Sequence, residues 1–280
     1  MEIFSNTTLW GDLSWSDWIP LDSNLKTYQK EISTSSGFYR IKSDSCNGLI
    51  YIGQTGRNLR ERTRALAKHT YRNSDNPPWN DPHTAASVLW AYRHENNFAY
   101  EVSVAVKENY DLSMRQTHED FLLYLHRIKH GHSTLANHGR RHPLWTKPSN
   151  KSKGISMKLQ EKESHFPSLA KPGKKKDFKA RDWLDLDWSE SMNLTDIQPP
   201  SFPGVYRIFK DNLMLYCGET KELKGRLNEH KRNPNFSHSK ASYSIMKNCL
   251  PHQLKEREVD LIGAYFELRK TPPIHQYCNH

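Results

Sequence analysis

The strongest constraint on what this chain can fold into is an internal repeat. The segment from Ser36, SGFYRIKSDSCNGLIYIGQTGRNLRERTRAL, runs in the same order as the segment from Pro203, PGVYRIFKDNLMLYCGETKELKGRLNEH. Each reads Gly, an apolar residue and Tyr, then a strand-like run, a turn, a second strand ending in Tyr-x-Gly, a polar turn and a basic helix. The approaches agree as well, since Leu13-Ser14-Trp15-Ser16-Asp17 resembles Leu186-Asp187-Trp188-Ser189-Glu190. Alternation in Phe38–Lys42 and Leu49–Gly53, broken at Asn47-Gly48, predicts a β-hairpin, and Arg60–Lys68 the helix after it. Beyond it, Ala85–Arg93 reads as a helix, Ala99–Val106 as a strand and Arg115–Lys129 as an amphipathic helix. The order in the first copy is therefore β-β-α-α-β-α.

A chain of 280 residues is about twice a typical domain, so two small cores fit it. Between the copies, Lys147–Arg181 carries eleven basic against three acidic residues, +8 of the chain's net +10. That stretch has Pro, Ser and Gly throughout and no apolar periodicity, so it reads as a flexible tether that could add salt-dependent affinity for phosphates. The expected organisation is a first domain over 1–146, a basic linker over 147–181 and a shortened second domain over 182–280. Four scattered cysteines without a CxxC read as free thiols. With no run of 18 apolar residues and no secretory pattern at Met1–Leu13, no membrane span and a cytoplasmic location are expected.

Gly37-Phe38-Tyr39 with Tyr51-Ile52-Gly53, and Gly204-Val205-Tyr206 with Tyr216-Cys217-Gly218, resemble the GIY-YIG nuclease superfamily, here in two tandem copies. The resemblance extends beyond the tripeptides. An Arg follows the second tripeptide by about two helical turns (Arg62; Arg226), and His230 follows Arg226 by one turn. A later helix carries one Glu (Glu119; Glu258), and Asn137 stands where that family usually has Asn. The resemblance implies an α+β fold in which each small mixed domain is a three-stranded antiparallel sheet flanked by helices. It also implies a metal-dependent endonuclease with Tyr39, Tyr51, Arg62, Glu119, Asn137, Tyr206, Tyr216, Arg226, His230 and Glu258 as site residues. Glu119 and Glu258 would hold the metal, with Tyr39 preferred over Tyr51 as general base.

These residue types suit the chemistry. Phosphodiester hydrolysis needs a nucleophilic water, a Lewis acid and a cation on the non-bridging oxygens. A single carboxylate leaves most of a metal's positions to water and phosphate, which suits Mg²⁺, with Mn²⁺ the alternative ion. An arginine offers a planar, always charged fork to phosphate. A phenol with an ordinary pKa near 10 must have it lowered by the metal and the arginine to act as a base. Histidines 126, 130, 132, 138 and 142 cluster, but without the cysteines or the clean ligand spacing of a zinc site. His69 and His83 are secondary candidates for phosphate contacts, and Trp79 for packing or for stacking on a base.

Arg62 and Glu119 are 57 residues apart, whereas Arg226 and Glu258 are 32 apart, so the second copy is expected to lack a helix. Ala241–Met246 would supply its third strand and Cys249–Lys255 a tight lead into its last helix, while His275 or Gln276 must stand in for Asn137. Two centres in one chain imply a monomer acting as an internal pseudo-dimer on double-stranded DNA, one centre for each strand, in a restriction or phage-defence enzyme. The alternatives are a structure-specific repair or recombination nuclease and a catalytically inactive DNA-binding protein of the same fold.

Overall fold

The structure, a computed structural model, describes residues 9–79, 85–145, 167–173 and 177–278. Within these limits the chain divides into two compact units, Met1–Asp111 with Ser133–Pro167, and Leu112–His132 with Ser168–His280.

In the first unit, β1 (Leu9–Trp10) and β2 (Leu13–Ser14) form a small ribbon. They are followed by β3 (Ile19–Pro20), α1 (Leu25–Glu31), β4 (Gly37–Lys42), β5 (Leu49–Thr55), α2 (Leu59–Thr70), α3 (Ala86–Asn96) and β6 (Glu101–Val106). The sheet order is β3-β6-β4-β5, antiparallel throughout. The second unit comprises α4 (Leu112–His130), β7 (Met192–Asn193), β8 (Gly204–Lys210), β9 (Leu213–Thr220), α5 (Leu223–Lys231), β10 (Lys240–Ile245) and α6 (Pro251–Arg269). Its sheet order, β7-β10-β8-β9, repeats the first. The mixed α+β character is as expected, but each sheet has four strands rather than three. The extra edge strands β3 and β7 are two residues long, too short to show a period of two.

The shared approach segments dock on each sheet in the same way. Ser16 N–H donates to Val104 O and Ser16 Oγ accepts from Val104 N–H, at 2.8 and 3.0 Å. Ser189 does the same with Tyr243, at 2.8 and 3.1 Å. The tryptophan beside each serine covers a buried arginine of the central strand: Arg40 lies 4.4 Å from the Trp15 ring and Arg207 4.0 Å from Trp188. Burial pushes both guanidinium groups down to about 9, so both remain charged at neutral pH. Aromatic faces stabilise a desolvated cation by about 2 kcal/mol. These arginines belong to the cores, a role that the sequence reading did not foresee.

Two expectations change in the second unit. The helix α4, which sequence order places within 1–146, packs along α6 instead. A Cβ on Gly263 would lie 2.4 Å from Tyr124 Cβ, so the missing side chain lets the helices approach. Fully buried Arg127 donates through Nε to Asp260 at 2.8 Å and pairs with Glu256 at 3.3 Å. The basic stretch 147–181 lies largely outside the described residues, but its described parts are packed. Leu169 N–H donates to Glu256 at 2.9 Å, Phe178 is in the core, and Arg207 donates to the carbonyls of Phe178, Lys179 and Ala180. Average charge concealed the apolar residues and the carbonyls that buried arginines require.

Where the first unit has α3, the second has only a 3-10 turn at Pro234–Phe236, which accounts for the shorter spacing. The last helix begins at Pro251, earlier than the lead expected over Cys249–Lys255, with Gln253 Oε1 accepting the Leu250 N–H at 2.9 Å. Proline at the first helical position costs no hydrogen bond. Trp79 packs with Trp90 and Trp145, and His83 lies outside the described residues.

Candidate active site

The second unit builds its site on the β8–β9 hairpin. Tyr206 sits opposite Gly218 across the strands, and a Cβ on Gly218 would meet the Tyr206 hydroxyl at 2.6 Å. Only glycine leaves room for that phenol. Glu222 caps α5 by accepting the Gly225 N–H at 2.7 Å, which places Arg226, the fourth residue of the helix, over the hairpin. Arg226 Nε donates to the Tyr206 hydroxyl at 3.1 Å, and that hydroxyl lies 3.0 Å from His230 Nε2. Because a guanidinium only donates, the phenol's own hydrogen is left for His230. Burial, then Arg226, pushes His230 down to about 4, so the ring is neutral and can accept it.

A cleft of about 350 Å³ opens here, lined by Tyr216, Arg226, His230 and Glu258, among others. Tyr206 has no exposed surface, whereas Tyr216 is partly exposed and faces the cleft. Glu258 is pushed up to about 7, first by desolvation and then by the carboxylate of Glu219, against the pull of the Glu219 backbone N–H, Lys255 and Arg226. Burial also raises both phenols, with Arg226 pulling each down. In the protein alone desolvation therefore outweighs the arginine at both phenols.

Gln276, rather than His275, takes the place of Asn137. Its Oε1 accepts the Cys217 N–H at 3.2 Å, as Asn137 Oδ1 accepts the Ile52 N–H at 3.1 Å. The preceding residues match too, with His275 N–H donating to Leu215 O at 2.8 Å and Ala136 N–H to Ile50 O at 3.0 Å. The signal was available in the sequence: both amides stand 18 residues after the glutamate of their copy.

The first unit brings together four of its five expected residues. Arg62, the fourth residue of α2, donates through Nε to the Tyr39 hydroxyl at 3.2 Å, and the Tyr39 and Tyr51 rings are 5.8 Å apart. Asn58 caps α2 by accepting the Glu61 N–H, and Gly53 leaves the same space for Tyr39 that Gly218 leaves for Tyr206. Asn137 grips β5 through both Ile52 backbone groups. Where His230 stands in the second copy, this one has buried Leu66. Glu119 is carried by α4, in the second unit. His69 lies in the last turn of α2. Among the described residues no three or more His, Cys, Asp or Glu side chains form a group that could hold a metal, the histidine cluster included.

Residues 202–268 match the GIY-YIG catalytic domain. The match takes in Tyr206, Tyr216, Arg226, His230 and Glu258, and Gln276 lies just beyond it. No curated protein and no solved structure matches the chain. GIY-YIG domains are typically nucleases, so the second unit is similar to a domain of that kind. Among the described residues no helix is long and apolar enough to cross a membrane.

Proposed function

We propose that the protein is a Mg²⁺-dependent DNA endonuclease of restriction or phage-defence type, with one hydrolytic centre in each half and one strand of a duplex for each centre. The observation that carries this reading is the convergence of Tyr216, Arg226, His230 and Glu258 on one cleft inside the GIY-YIG match. The cleft suits a divalent ion: Glu258 is desolvated and repelled by Glu219, strain that a cation relieves. One carboxylate leaves the remaining positions to water and phosphate, as Mg²⁺ prefers; Mn²⁺ is the alternative. Bound at Glu258, such an ion supplies Lewis acidity to the phosphate and acidifies water.

The chain's own residues supply the rest. Arg226 presents its fork to the non-bridging oxygens. Tyr216, the phenol on the cleft wall, meets the attacking water in place of buried Tyr206, which reverses the preference for Tyr39 over Tyr51. Tyr206 holds Arg226 from behind and passes its hydrogen toward His230. In the first half Tyr39, Tyr51, Arg62 and Asn137 repeat the plan, and the spacing in the sequence makes Glu119 the carboxylate to test. Digestion of supercoiled plasmid with Mg²⁺ or with a chelator, followed by sequencing of the ends, tests the reading. Mg²⁺-dependent discrete fragments are expected. No cutting by the folded protein, or cutting that survives Glu119→Ala together with Glu258→Ala, would overturn it.

A further inference from the structure

We propose that Asp120 is a positioning residue of the second centre, acting through Tyr277 to hold one wall of its catalytic cleft. The proposal rests on the nuclease reading of that centre. After α6 the chain doubles back over β9, where Ile274 N–H donates to Met214 O at 3.1 Å, His275 N–H to Leu215 O, and Cys217 N–H to Gln276 Oε1. His275, Gln276, Tyr277 and Cys278 then line the same cleft as Arg226. A segment with so few backbone bonds opens readily unless side chains tie it down. Two side chains of α4 tie it. Ser113 Oγ donates to Gln276 O at 2.7 Å, and the Tyr277 hydroxyl donates to Asp120 Oδ2 at 2.5 Å.

Asp120 is buried at 6% exposure and does not itself line the cleft. Its helix is fixed to α6 by the Arg127–Asp260 pair and by the close approach at Gly263. The bond from Tyr277 is 2.5 Å long and out of water, where a hydrogen bond is worth more than at the surface. It holds Tyr277, hence Gln276, hence the Cys217 backbone next to Tyr216. The first unit secures its amide within its own loop, since Thr134 Oγ1 donates to Asn137 Oδ1 at 2.7 Å. The second amide instead borrows a helix that precedes it by more than a hundred residues.

Two readouts test this. Fully buried Cys217, a free thiol, reports on the wall when Cys46, Cys249 and Cys278 are replaced by serine. Its labelling by a small thiol reagent should rise about tenfold or more in Tyr277→Phe, through local opening. In a Glu119→Ala background, nicking of supercoiled plasmid with Mg²⁺ belongs to the second centre. There Tyr277→Phe and Asp120→Ala should lower kcat about tenfold or more with KM changed less than about twofold, as loss of a supporting partner does. Asp120→Asn should restore both, because its amide oxygen still accepts the phenol's hydrogen.

Tyr277→Phe removes a single oxygen and decides the matter if Asp120→Ala fails to fold. Faster labelling with unchanged nicking, a loss confined to KM, or Asp120→Asn as impaired as Asp120→Ala would overturn the proposal. If the parent does not nick at all, the nuclease reading fails. Labelling then decides alone: no increase in Tyr277→Phe overturns the clamp.

Discussion

Glu258 shows what burial beside a second carboxylate does to a single residue. Its pKa is raised from 4.5 to about 7, so the folded chain holds a proton that the unfolded chain has released. The associated stability is present below 4.5 and is lost as the pH rises to about 7. A divalent ion competes with that proton, so Mg²⁺ should raise Tm more at about pH 8 than at about pH 6. Scanning calorimetry should find the difference abolished in Glu258→Gln; equal shifts at both pH values would place the ion elsewhere. His230→Ala removes the acceptor of the Tyr206 hydrogen and should slow the second centre about a hundredfold in single-turnover cleavage. The tyrosines, arginines, His230 and Glu258 were legible in the sequence because hairpin and helix spacing fix their positions. Gln276 was legible only through its 18-residue spacing from Glu258, because adjacent His275 offered a second polar side chain. Arg40 and Arg207 were hidden by their charge, which suggests the surface until Trp15 and Trp188 are seen above them.

The helix pair α4–α6 shows what periodicity leaves open at the scale of elements. An apolar stripe over Phe121, Leu125 and Ile128 announces a buried helix, but not which sheet or helix will bury it. Here Phe121 meets Phe266 with ring centroids 5.3 Å apart, and Arg127 is sealed against Asp260 and Glu256. Arg127→Met should therefore cost about 3–5 kcal/mol in urea unfolding of the second unit, since it removes the buried cation that Glu256 and Asp260 share, although Asp260 keeps Arg257 and Glu256 keeps the Leu169 N–H. A loss below about 1 kcal/mol, typical of an exposed pair, would mean that water reaches the cluster. Apart from the seven-residue α1, strands and helices of five residues or more were readable from the sequence, while the two-residue edge strands became visible only through their pairing. The 3-10 turn at Pro234–Phe236 in place of α3 explains how one copy dispenses with a helix while keeping its sheet order.

For the molecule as a whole, the two halves should be separable by function. Glu119→Ala should leave an enzyme that nicks one defined strand, and Glu258→Ala one that nicks the other, as strand-specific end labelling would reveal. Loss of all cutting in either variant would mean that the carboxylates serve a single centre. The repeat itself was legible across the chain, down to its approach segments, because its spacing survives the change of individual residues. The two halves also share a pair of indoles: Trp10 and Trp15 have ring centroids 5.8 Å apart, and Trp183 and Trp188 6.1 Å. Chromophores this close mix their excited states, so each half carries an optical signature of its own. Replacing one pair with phenylalanine would leave the other as a reporter, and melting curves recorded in turn would tell whether the halves come apart together or one after the other.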